Sequence, residues 1–354
     1  MTAHEFDVAI LGGGPAGSAA ALTLLRYTKL RVVVIERGDY SAPRIGETLS
    51  PAAQPLLAYL DVASLLEEHG QLRNYGTAAA WGSSDVVSRD FLFVGAGDGW
   101  HLDRARFDRS LATAVRDRGG RLLTNCTNTN VDAAFFIDTT GRSAHYARQH
   151  GATIEQHDNL TGLVALFNGT TTNGGTLVEA VSDGWWYSAQ LPDERIVVAL
   201  MTDADIVRDQ HLHERDAWLD ALQSTRATRL RAASAALAVP PTAHPSQSQI
   251  TQLPYGENWI AAGEAAVAFD PLSSMGIGYA LASGIQAARF AAAAANGGDP
   301  QLHLYAEDVA SHFNAYLTRK RDYYLIEQRW KDRPFWARRQ RASATAIRSA
   351  ATYT

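Results

Sequence analysis

The first 36 residues change their hydrophobic period twice, from an apolar run to a helical pattern and back. Residues 6–11 are apolar except for Asp7, which predicts a buried strand. Residues 18–27 are rich in Ala and Leu and predict a helix, and residues 31–35, which are apolar after Arg31, predict a second strand. A strand, a helix and a strand in this order are typical of the β-α-β unit of a parallel sheet.

The turn between the first strand and the helix has the residues of a dinucleotide site. It reads Gly-x-Gly-x-x-Gly at Gly12, Gly14 and Gly17. Glycine permits the tight turn, the approach of the backbone to a pyrophosphate and the close packing of helix on strand. Free N–H groups at the helix N-terminus favour that anion. Glu36 follows the second strand at the spacing of an acid that accepts hydrogen bonds from ribose hydroxyls.

Short strands and helices continue along the rest of the chain. Alternating apolar positions between residues 163 and 202 predict an antiparallel sheet. Its strands are expected at residues 163–167, 176–181, 185–191 and 195–201. Other strands are expected within residues 75–94 and at 121–125 and 259–263. Helices are expected at residues 52–60, 105–119, 214–223, 227–238, 277–295 and 305–341.

Composition and charge then narrow the function classes. With 354 residues and 46% apolar composition, the chain can bury a large core. The net charge of −5 does not favour nucleic acid, and the apolar runs are too short to span a bilayer. Cys126 is the only cysteine, so we expect no disulfide within the chain and no metal site. Residues 1–5 are polar and lead directly into the first strand, which favours a cytoplasmic protein.

Three separated stretches together resemble one family. They are residues 12–36, the Asp-Thr-Thr-Gly-Arg segment at 138–142, and residues 263–277, which contain Gly-Glu-Ala-Ala and Asp-Pro-Leu-Ser-Ser-Met-Gly-Ile. The chain resembles the FAD-dependent monooxygenases of the p-hydroxybenzoate hydroxylase fold, which include flavin-dependent halogenases and geranylgeranyl reductases. Glu264 departs from the usual Asp but keeps a carboxylate acceptor.

The resemblance implies FAD as the cofactor and a specific set of residues around it. Arg104 matches the arginine of the family's His-Leu-Asp-Arg segment. The implied FAD-binding residues are Gly12, Gly14, Pro15, Ala16, Gly17, Glu36, Arg37, Arg44, Arg104, Asp138, Gly141, Gly263, Glu264, Asp270, Pro271, Ser274, Gly276 and Ile277.

The implied fold class is α/β, or more fully α+β. We expect a Rossmann-like FAD-binding domain with an inserted antiparallel-sheet substrate domain and a C-terminal helical segment. The FAD-binding domain is discontinuous, at residues 1–75, 95–150 and 255–300. The substrate domain takes residues 76–94 and 151–254, and the basic helical segment takes residues 301–354.

The family's chemistry proceeds through a flavin C4a-hydroperoxide, formed from O2 after NAD(P)H has reduced the FAD as a transient visitor. A helix that begins at Gly276 and Ile277 would place its N-terminal dipole near the flavin and stabilise the reduced ring. Candidate catalytic residues are Glu47, in the turn that lies near the isoalloxazine in the family, His101 as an acid or base, and Trp186 in an aromatic-rich strand. A structural histidine is the alternative for His101.

The lysine content argues against halogenation. Flavin-dependent halogenases depend on an active-site lysine in the strand region after the Gly-Glu loop, where this chain reads Gly-Thr-Ala-Ala-Ala-Trp at residues 76–81. The only lysines are Lys29, Lys320 and Lys331, and the Trp-x-Trp-x-Ile-Pro motif is absent. We therefore expect a hydroxylase rather than a halogenase.

The C-terminal segment suggests a substrate. Residues 319–341 carry nine Lys or Arg against three acids, with five interleaved aromatic residues. A solvated basic helix is one interpretation, and a docking surface for an acidic partner is the other. Together with residues 184–192, the segment is similar to flavoproteins that hydroxylate a peptide tryptophan to build cysteine tryptophylquinone.

Several alternatives remain open. The substrate could instead be a small aromatic or polyketide metabolite that is hydroxylated or epoxidised, or an isoprenoid double bond that is reduced. A flavin-binding chaperone without turnover is the non-enzymatic alternative. Residues 126–133 link two strands where the family usually has more of them, so the sheet is trimmed or segments are missing there.

Overall fold

The computed structural model describes residues 4–91, 93, 97–127, 131–171 and 174–340. Its strands are β1 (Phe6–Leu11), β2 (Val32–Ile35), β3 (Thr48–Leu49), β4 (Leu72–Asn74), β5 (Gly76–Ala80), β6 (Val87–Asp90), β7 (Gly99–His101), β8 (Arg121–Leu123), β9 (Ala133–Asp138), β10 (Thr153–Gln156), β11 (Leu160–Asn168), β12 (Thr176–Val181), β13 (Gly184–Gln190), β14 (Arg195–Asp203), β15 (Ala236–Pro245), β16 (Gln249–Gln252), β17 (Tyr255–Gly256), β18 (Trp259–Ala261) and β19 (Val267–Ala268).

The helices lie between these strands and after the last of them. They are α1 (Pro15–Tyr27), α2 (Gln54–Tyr59), α3 (Leu65–Glu68), α4 (Arg104–Asp117), α5 (His145–Gln149), α6 (Ala204–Asp209), α7 (Arg215–Gln223), α8 (Thr228–Arg231), α9 (Gly276–Ala295), α10 (Leu302–Ile326) and α11 (Pro334–Gln340). None of the helices in the described ranges has the length and apolar character that crossing a membrane requires.

A six-stranded sheet forms the first layer, in the order β17-β18-β9-β1-β2-β8. All of its neighbours are parallel except the edge strand β17. Parallel pairing brings the carboxyl ends of β1, β2 and β9 to one edge, because their registers align Leu11 with Ile35 and with Asp138. Ligands bind at this edge in open α/β sheets, so the turn after β1 lies where a cofactor is expected.

A seven-stranded sheet forms the second layer, in the order β15-β11-β14-β13-β12-β5-β6. Its pairs are antiparallel except for β12 with β5. One face packs against α7, where the Trp186 and Trp218 rings meet edge to face at 5.0 Å. Separate hydrophobic cores lie under the two sheets. The predicted fold class, α/β with an antiparallel sheet and a C-terminal helical segment, is confirmed.

Helix α10 connects the two cores. Near its start, the Tyr305 hydroxyl donates to the carbonyl of Ala261 on β18, in the six-stranded sheet. Near its end, Tyr324 lies in the core of the seven-stranded sheet with Phe335 and Trp336. The chain then turns back into α11, so the predicted helix at 305–341 is two helices. Residues 341–354 lie outside the described residues.

The helix predicted at residues 227–238 is wrong in extent. Only Thr228–Arg231 is helical, and β15 begins at Ala236. Three prolines, Pro240, Pro241 and Pro245, fall in this strand, which lies at the sheet edge where a missing N–H costs no ladder bond. The question about residues 126–133 falls partly on residues 128–130, which lie outside the described residues.

Candidate functional site

The glycine turn is fixed by close backbone packing. A Cβ on Gly17 would lie 1.9 Å from the carbonyl oxygen of Gly12, and a Cβ on Gly12 would lie 2.3 Å from that of Thr139. The Thr139 hydroxyl donates to the carbonyls of Leu11 and Gly12, which ties the turn to the end of β9. These two glycines are therefore required by the fold itself.

Other glycines at the same edge face open space. No atom lies within 4 Å of a Cβ placed on Gly141 or on Gly276, and only the Arg44 guanidinium, at 3.8 Å, approaches one on Gly14. Gly263 packs differently, because a Cβ there would lie 2.7 Å from the Cβ of Ala16. Gly12 and Gly17 thus pack against the backbone, whereas Gly14, Gly141 and Gly276 border open space.

Two helix N-termini open onto this space. Helix α1 begins at Pro15 and α9 begins at Gly276, and neither N-cap residue closes its helix with a side chain. The helices pack closely, since a Cβ on Gly284 would lie 2.2 Å from the carbonyl oxygen of Ala16. Uncapped N-termini attract anionic groups such as a pyrophosphate or a reduced flavin ring. Ile277 lies in the first turn of α9 and is buried in the core.

The acid after β2 is buried and bonded. Glu36 accepts hydrogen bonds from the N–H groups of Gly13, at 2.7 Å, and Gly38, at 3.0 Å. Arg44 donates to Glu36 at 3.2 Å and to Asp108 at 3.1 Å. Glu36, the predicted ribose acceptor, and Arg44, a predicted FAD-binding residue, therefore lie directly beside the glycine turn. Arg37 is exposed.

Asp108 is a site residue that sequence reasoning missed. It is fully buried and joins Arg44 to Arg104, whose guanidinium also donates to the carbonyls of Ile45 and Gly46. Asp108 lies four residues after Arg104 on α4, so helical spacing could have revealed the pair. A second missed residue is Tyr40, whose hydroxyl donates to the carbonyl of Gly13 at 3.1 Å.

The FAD implied by the resemblance fits this edge of the sheet. We call residues 12–17, Glu36, Arg44, Gly141 and Gly276 the FAD cradle. The open space at its glycines, the uncapped helix N-termini and the paired cations match the needs of a dinucleotide with a pyrophosphate and a flavin.

Asp138 and Asp270 use their carboxylates inside the protein. Asp138 accepts from Thr140 and from the N–H of Ala147, and so shapes the turn that holds Gly141. Asp270 accepts from the N–H of Leu272 and from the Tyr324 hydroxyl. Both carboxylates are buried, so the structure gives these acids the role of holding turns beside the cradle.

The remaining predicted FAD-binding residues divide between the surface and the loop before α9. Glu264 is exposed and pairs with Arg142 at 3.3 Å, which directs its carboxylate towards that arginine. Pro271 is exposed in a short turn, and Ser274 follows it with a left-handed φ of 50°. The left-handed backbone at Ser274 therefore shapes the loop that leads to α9.

Glu47 directly precedes β3, which belongs to a three-stranded sheet in the order β3-β7-β4. It is buried, and its carboxylate accepts from the N–H of Gly46 at 2.9 Å. The neighbouring Thr48 hydroxyl lies 2.6 Å from the hydroxyl of Tyr187 on β13. Burial, together with the negative charge of Glu47, holds the pKa of Tyr187 well above its usual value. Tyr187 therefore remains a neutral phenol that can share a proton with Glu47 or Thr48.

His101 is a neutral buried imidazole. It pairs across the β3–β7 ladder with Thr48, and its Nε2 lies 3.0 Å from the hydroxyl of Thr176. Burial and the nearby positive charge of Arg231 lower its pKa to about 4. At neutral pH the ring carries no charge, so His101 can act as a hydrogen-bond partner or a weak base rather than as a general acid.

Trp186 does not lie with these groups, and its assignment as catalytic needs correction. Side chains alternate along β13, so Trp185 and Tyr187 share the face that meets Thr48, and Trp186 lies on the other face against Trp218. Sequence reasoning identified the right strand but selected the residue on the wrong face. We assign the aromatic role at this site to Tyr187.

Lys320 lies inside the protein rather than on a solvated tail. Its ammonium contacts Asp158 and donates to Ser248 at 2.8 Å, and it lies 3.7 Å from the carboxylate of Asp270. Burial raises the pKa of Asp158, but the Lys320 ammonium more than offsets this and leaves it below the usual value. Burial dominates at Asp270 and raises its pKa, against the opposing effect of Lys320.

Several other cations of the C-terminal segment also pair with carboxylates. We call residues 316–340 the C-terminal clamp. Its cations pair with acids of the fold in four further places: Arg329 with Glu327, Arg333 with Asp183, and Arg338 and Arg339 with Asp203. Its aromatic residues Tyr324, Phe335 and Trp336 are fully buried. Six cations of the described clamp remain exposed (Arg319, Arg321, Arg329, Lys331, Arg333 and Arg338), and docking of an acidic partner on this segment stays a prediction.

Comparison with known proteins identifies the family. LodB of Marinomonas mediterranea, described as an FAD-dependent oxidoreductase, is 33% identical over 375 residues, which cover 96% of this chain and 98% of LodB. The chain belongs to this FAD-dependent oxidoreductase family. A family model described as tryptophan halogenase matches residues 7–86. The predicted resemblance, the FAD cofactor and the oxidoreductase class are confirmed.

Solved structures of family relatives share the fold. The flavin-dependent halogenase CmlS superposes with a TM-score of 0.84 at 20% identity, over 98% of this chain and 69% of CmlS. QhpG, a peptidyl tryptophan dihydroxylase essential for tryptophylquinone cofactor biogenesis, gives a TM-score of 0.72 at 24% identity, over 95% of this chain and 79% of QhpG. At these identities the two structures establish the fold of this family member. NAD(P)H, O2 and the hydroxylase activity stay predictions.

Proposed function

We propose that this family member is a flavin monooxygenase that hydroxylates a tryptophan side chain of a peptide or protein during maturation of cysteine tryptophylquinone. One atom of O2 enters a C–H bond of the indole, the other leaves as water, and NAD(P)H supplies the two electrons. Bound FAD supplies the oxygen-activating chemistry. The shared fold with QhpG supports the substrate class, and the positions of the lysines support hydroxylation over halogenation.

The lysine positions are the observation that carries the proposal. The sequence contains three lysines, and the strand where halogenases need one is β5, Gly-Thr-Ala-Ala-Ala. Lys29 follows the C-terminal end of α1, opposite the end that faces the cradle. Lys331 is exposed, and Lys320 is held by Asp158 and Ser248. No lysine ammonium is thus available beside Glu47 and Tyr187.

The residues around the contact between Thr48 and Tyr187 suit an aromatic substrate that must lose a proton. Addition of oxygen to an indole carbon leaves a proton on that carbon, and a nearby base must accept it. Glu47, which accepts from the N–H of Gly46, and neutral His101 are the candidate acceptors. Tyr187, hydrogen-bonded to Thr48, supplies a phenol that can orient the substrate or pass the proton to Glu47.

The test is the mass of the product. The purified FAD protein is incubated with NAD(P)H, isotopically labelled O2, and chloride and bromide, and with synthetic peptides that contain one tryptophan. We expect labelled oxygen on the tryptophan and no halogen. A peptide in which phenylalanine replaces the tryptophan is the control. Absence of labelled oxygen from every peptide, despite reduction of the flavin, contradicts the proposal.

Halogenation is the second candidate, and specific observations favour it. The family model is that of tryptophan halogenase, and Lys320 lies 3.7 Å from Asp270, in the loop that leads to α9. The sequence argument had placed Lys320 in a distant tail, so counting lysines by region underestimated its proximity. A chlorine or bromine isotope pattern in the same experiment, lost in Lys320→Met, identifies a halogenase.

A further inference from the structure

One face of α10 converges on a single loop residue, Asp270. Tyr316, Lys320 and Tyr324 are spaced four residues apart, so they lie along one side of the helix. The N–H of Asp270 donates to the Tyr316 hydroxyl at 2.8 Å. The Asp270 carboxylate accepts from the Tyr324 hydroxyl at 2.8 Å and lies 3.7 Å from the Lys320 ammonium. Both the backbone and the side chain of Asp270 are thus fixed by the same helix.

Asp270 caps the turn that leads to the N-terminus of α9. Its carboxylate accepts from the N–H of Leu272, which starts the short turn Pro271–Ser273. The chain continues through Ser274 and Met275 directly into Gly276, where α9 begins beside open space. Only five residues separate Asp270 from Gly276, and three of them form the turn Pro271–Ser273, so a shift at Asp270 is expected to move the start of α9 relative to the cradle.

Tyr324 also contacts the seven-stranded sheet. The Trp185 indole N–H donates to the Tyr324 hydroxyl at 3.0 Å, and Tyr324 is fully buried. Trp185 precedes Tyr187 by two residues on β13 and lies on the same face. The Tyr324 hydroxyl therefore bonds both to the sheet that carries Tyr187 and to the loop that precedes α9.

We propose that Tyr324 is a positioning residue for the flavin, which acts through Asp270 to hold the N-terminus of α9 against the cofactor. The positive end of a helix stabilises negative charge that develops on a reduced flavin, and its effect falls off within the first turn. A loop that is held less firmly lets this end move away. Loss of the Tyr324 hydroxyl then weakens FAD binding and makes the reduced state less favourable.

The proposal is tested with Tyr324→Phe, which removes one oxygen atom and keeps the ring in the core. The matched control is Tyr323→Phe, because Tyr323 is the adjacent residue and is 57% exposed. We measure the FAD dissociation constant and the midpoint potential of the bound flavin, and we check folding by thermal melting. For Tyr324→Phe we expect about tenfold weaker FAD binding, the effect of one buried hydrogen bond with a charged partner.

We also expect a more negative midpoint potential in Tyr324→Phe, by about 30 mV if the reduced flavin loses tenfold more affinity than the oxidised flavin. Tyr323→Phe should match the unaltered protein in both quantities. If Tyr324→Phe folds and binds FAD with unchanged affinity and potential, the proposal is wrong. These readouts need no substrate, so they separate this proposal from that of tryptophan hydroxylation.

A second variant keeps the proposal falsifiable if Tyr324→Phe does not fold. Tyr316→Phe removes the acceptor of the Asp270 N–H at the other end of the same helix face. It should shift the potential in the same direction, because the same loop is released. An unchanged potential in folded Tyr316→Phe would show that α10 merely packs on the loop, and the proposal would be overturned.

Discussion

The FAD cradle and the C-terminal clamp differ in how they treat their polar groups. At the cradle, α1 and α9 begin without side-chain caps, and Gly14 and Gly276 face space that no side chain fills. In the clamp, Lys320, Arg329, Arg333, Arg338 and Arg339 each meet a carboxylate. A region that leaves N–H groups and space available is organised for a ligand. A region that pairs its charges internally holds the two cores together.

The two regions also respond differently to substitution. A side chain added in the cradle should remove ligand binding with little loss of fold stability. A charge removed from the clamp should reduce stability with little effect on the ligand. The first two of the four predictions below test this contrast, and the other two test residues outside both regions. They run from the largest expected effect to the smallest.

Gly14→Val should abolish FAD binding without unfolding the protein. Only Arg44 approaches the position of the new Cβ, so the branched side chain fits the protein but fills the space of the pyrophosphate. We expect FAD to bind more weakly by on the order of a thousandfold, about 4 kcal/mol, measured by titration of the flavin. Gly17→Ala is the contrasting variant, because its Cβ would lie 1.9 Å from the Gly12 carbonyl and should destabilise the fold without FAD.

Arg339→Met should destabilise the clamp. The Arg339 guanidinium is buried, bonds to Asp203 and stacks over Phe335 at 3.7 Å. Its removal leaves a buried carboxylate with a lost partner, which costs about 3 to 4 kcal/mol in the free energy of unfolding. Arg338→Met is the control, since Arg338 shares Asp203 but is 43% exposed and should cost less than about 1 kcal/mol. Equal losses in the two variants, measured by urea denaturation, would refute the role of burial.

Stability should fall with acid in a window set by His101. Its pKa is about 4 in the folded protein against an ordinary value of 6.5, so between these values the unfolded chain binds a proton that the folded chain does not. The free energy of unfolding should therefore decrease as the pH falls from about 6.5 to about 4, by roughly 3 kcal/mol from this residue. His101→Gln should flatten this part of the pH profile, whereas His213→Gln, an exposed position, should not.

Tyr187→Phe should reduce turnover more than stability. Loss of the hydroxyl removes the contact to Thr48 and the phenol that can share a proton with Glu47. We expect kcat to fall about tenfold with KM nearly unchanged, since proton transfer contributes to the transition state. Trp186→Phe tests the other face of β13: it should lower the melting temperature through lost packing on Trp218 and keep kcat within about twofold. The opposite pattern would restore Trp186 as the catalytic residue.

Sequence reasoning succeeded where the determinants are local. Local patterns in the sequence identified the turn at residues 12–17 and the acid at Glu36, which belong to one β-α-β unit. They also identified four of the seven strands of the second sheet. Helical spacing could also have identified Asp108, four residues after Arg104.

Long-range contacts could not be predicted in the same way. Lys320 lies more than 150 residues from Asp158, and only the folded chain shows that it pairs with that acid rather than with water. The face of Trp186 depends on the register of β13 against β12 and β14, which a one-residue shift would reverse. For the same reason, the sequence could not show that five of the basic residues in 319–341 pair with carboxylates.

The most direct test of the contrast is FAD titration of the unaltered protein, Gly14→Val and Arg339→Met side by side. Flavin fluorescence gives the dissociation constant, and thermal melting without FAD gives the stability of each protein. We predict that Gly14→Val melts like the unaltered protein but does not bind FAD, and that Arg339→Met melts at a lower temperature but binds FAD within about tenfold. Normal FAD binding by Gly14→Val would contradict the assignment of residues 12–17 as the cofactor site.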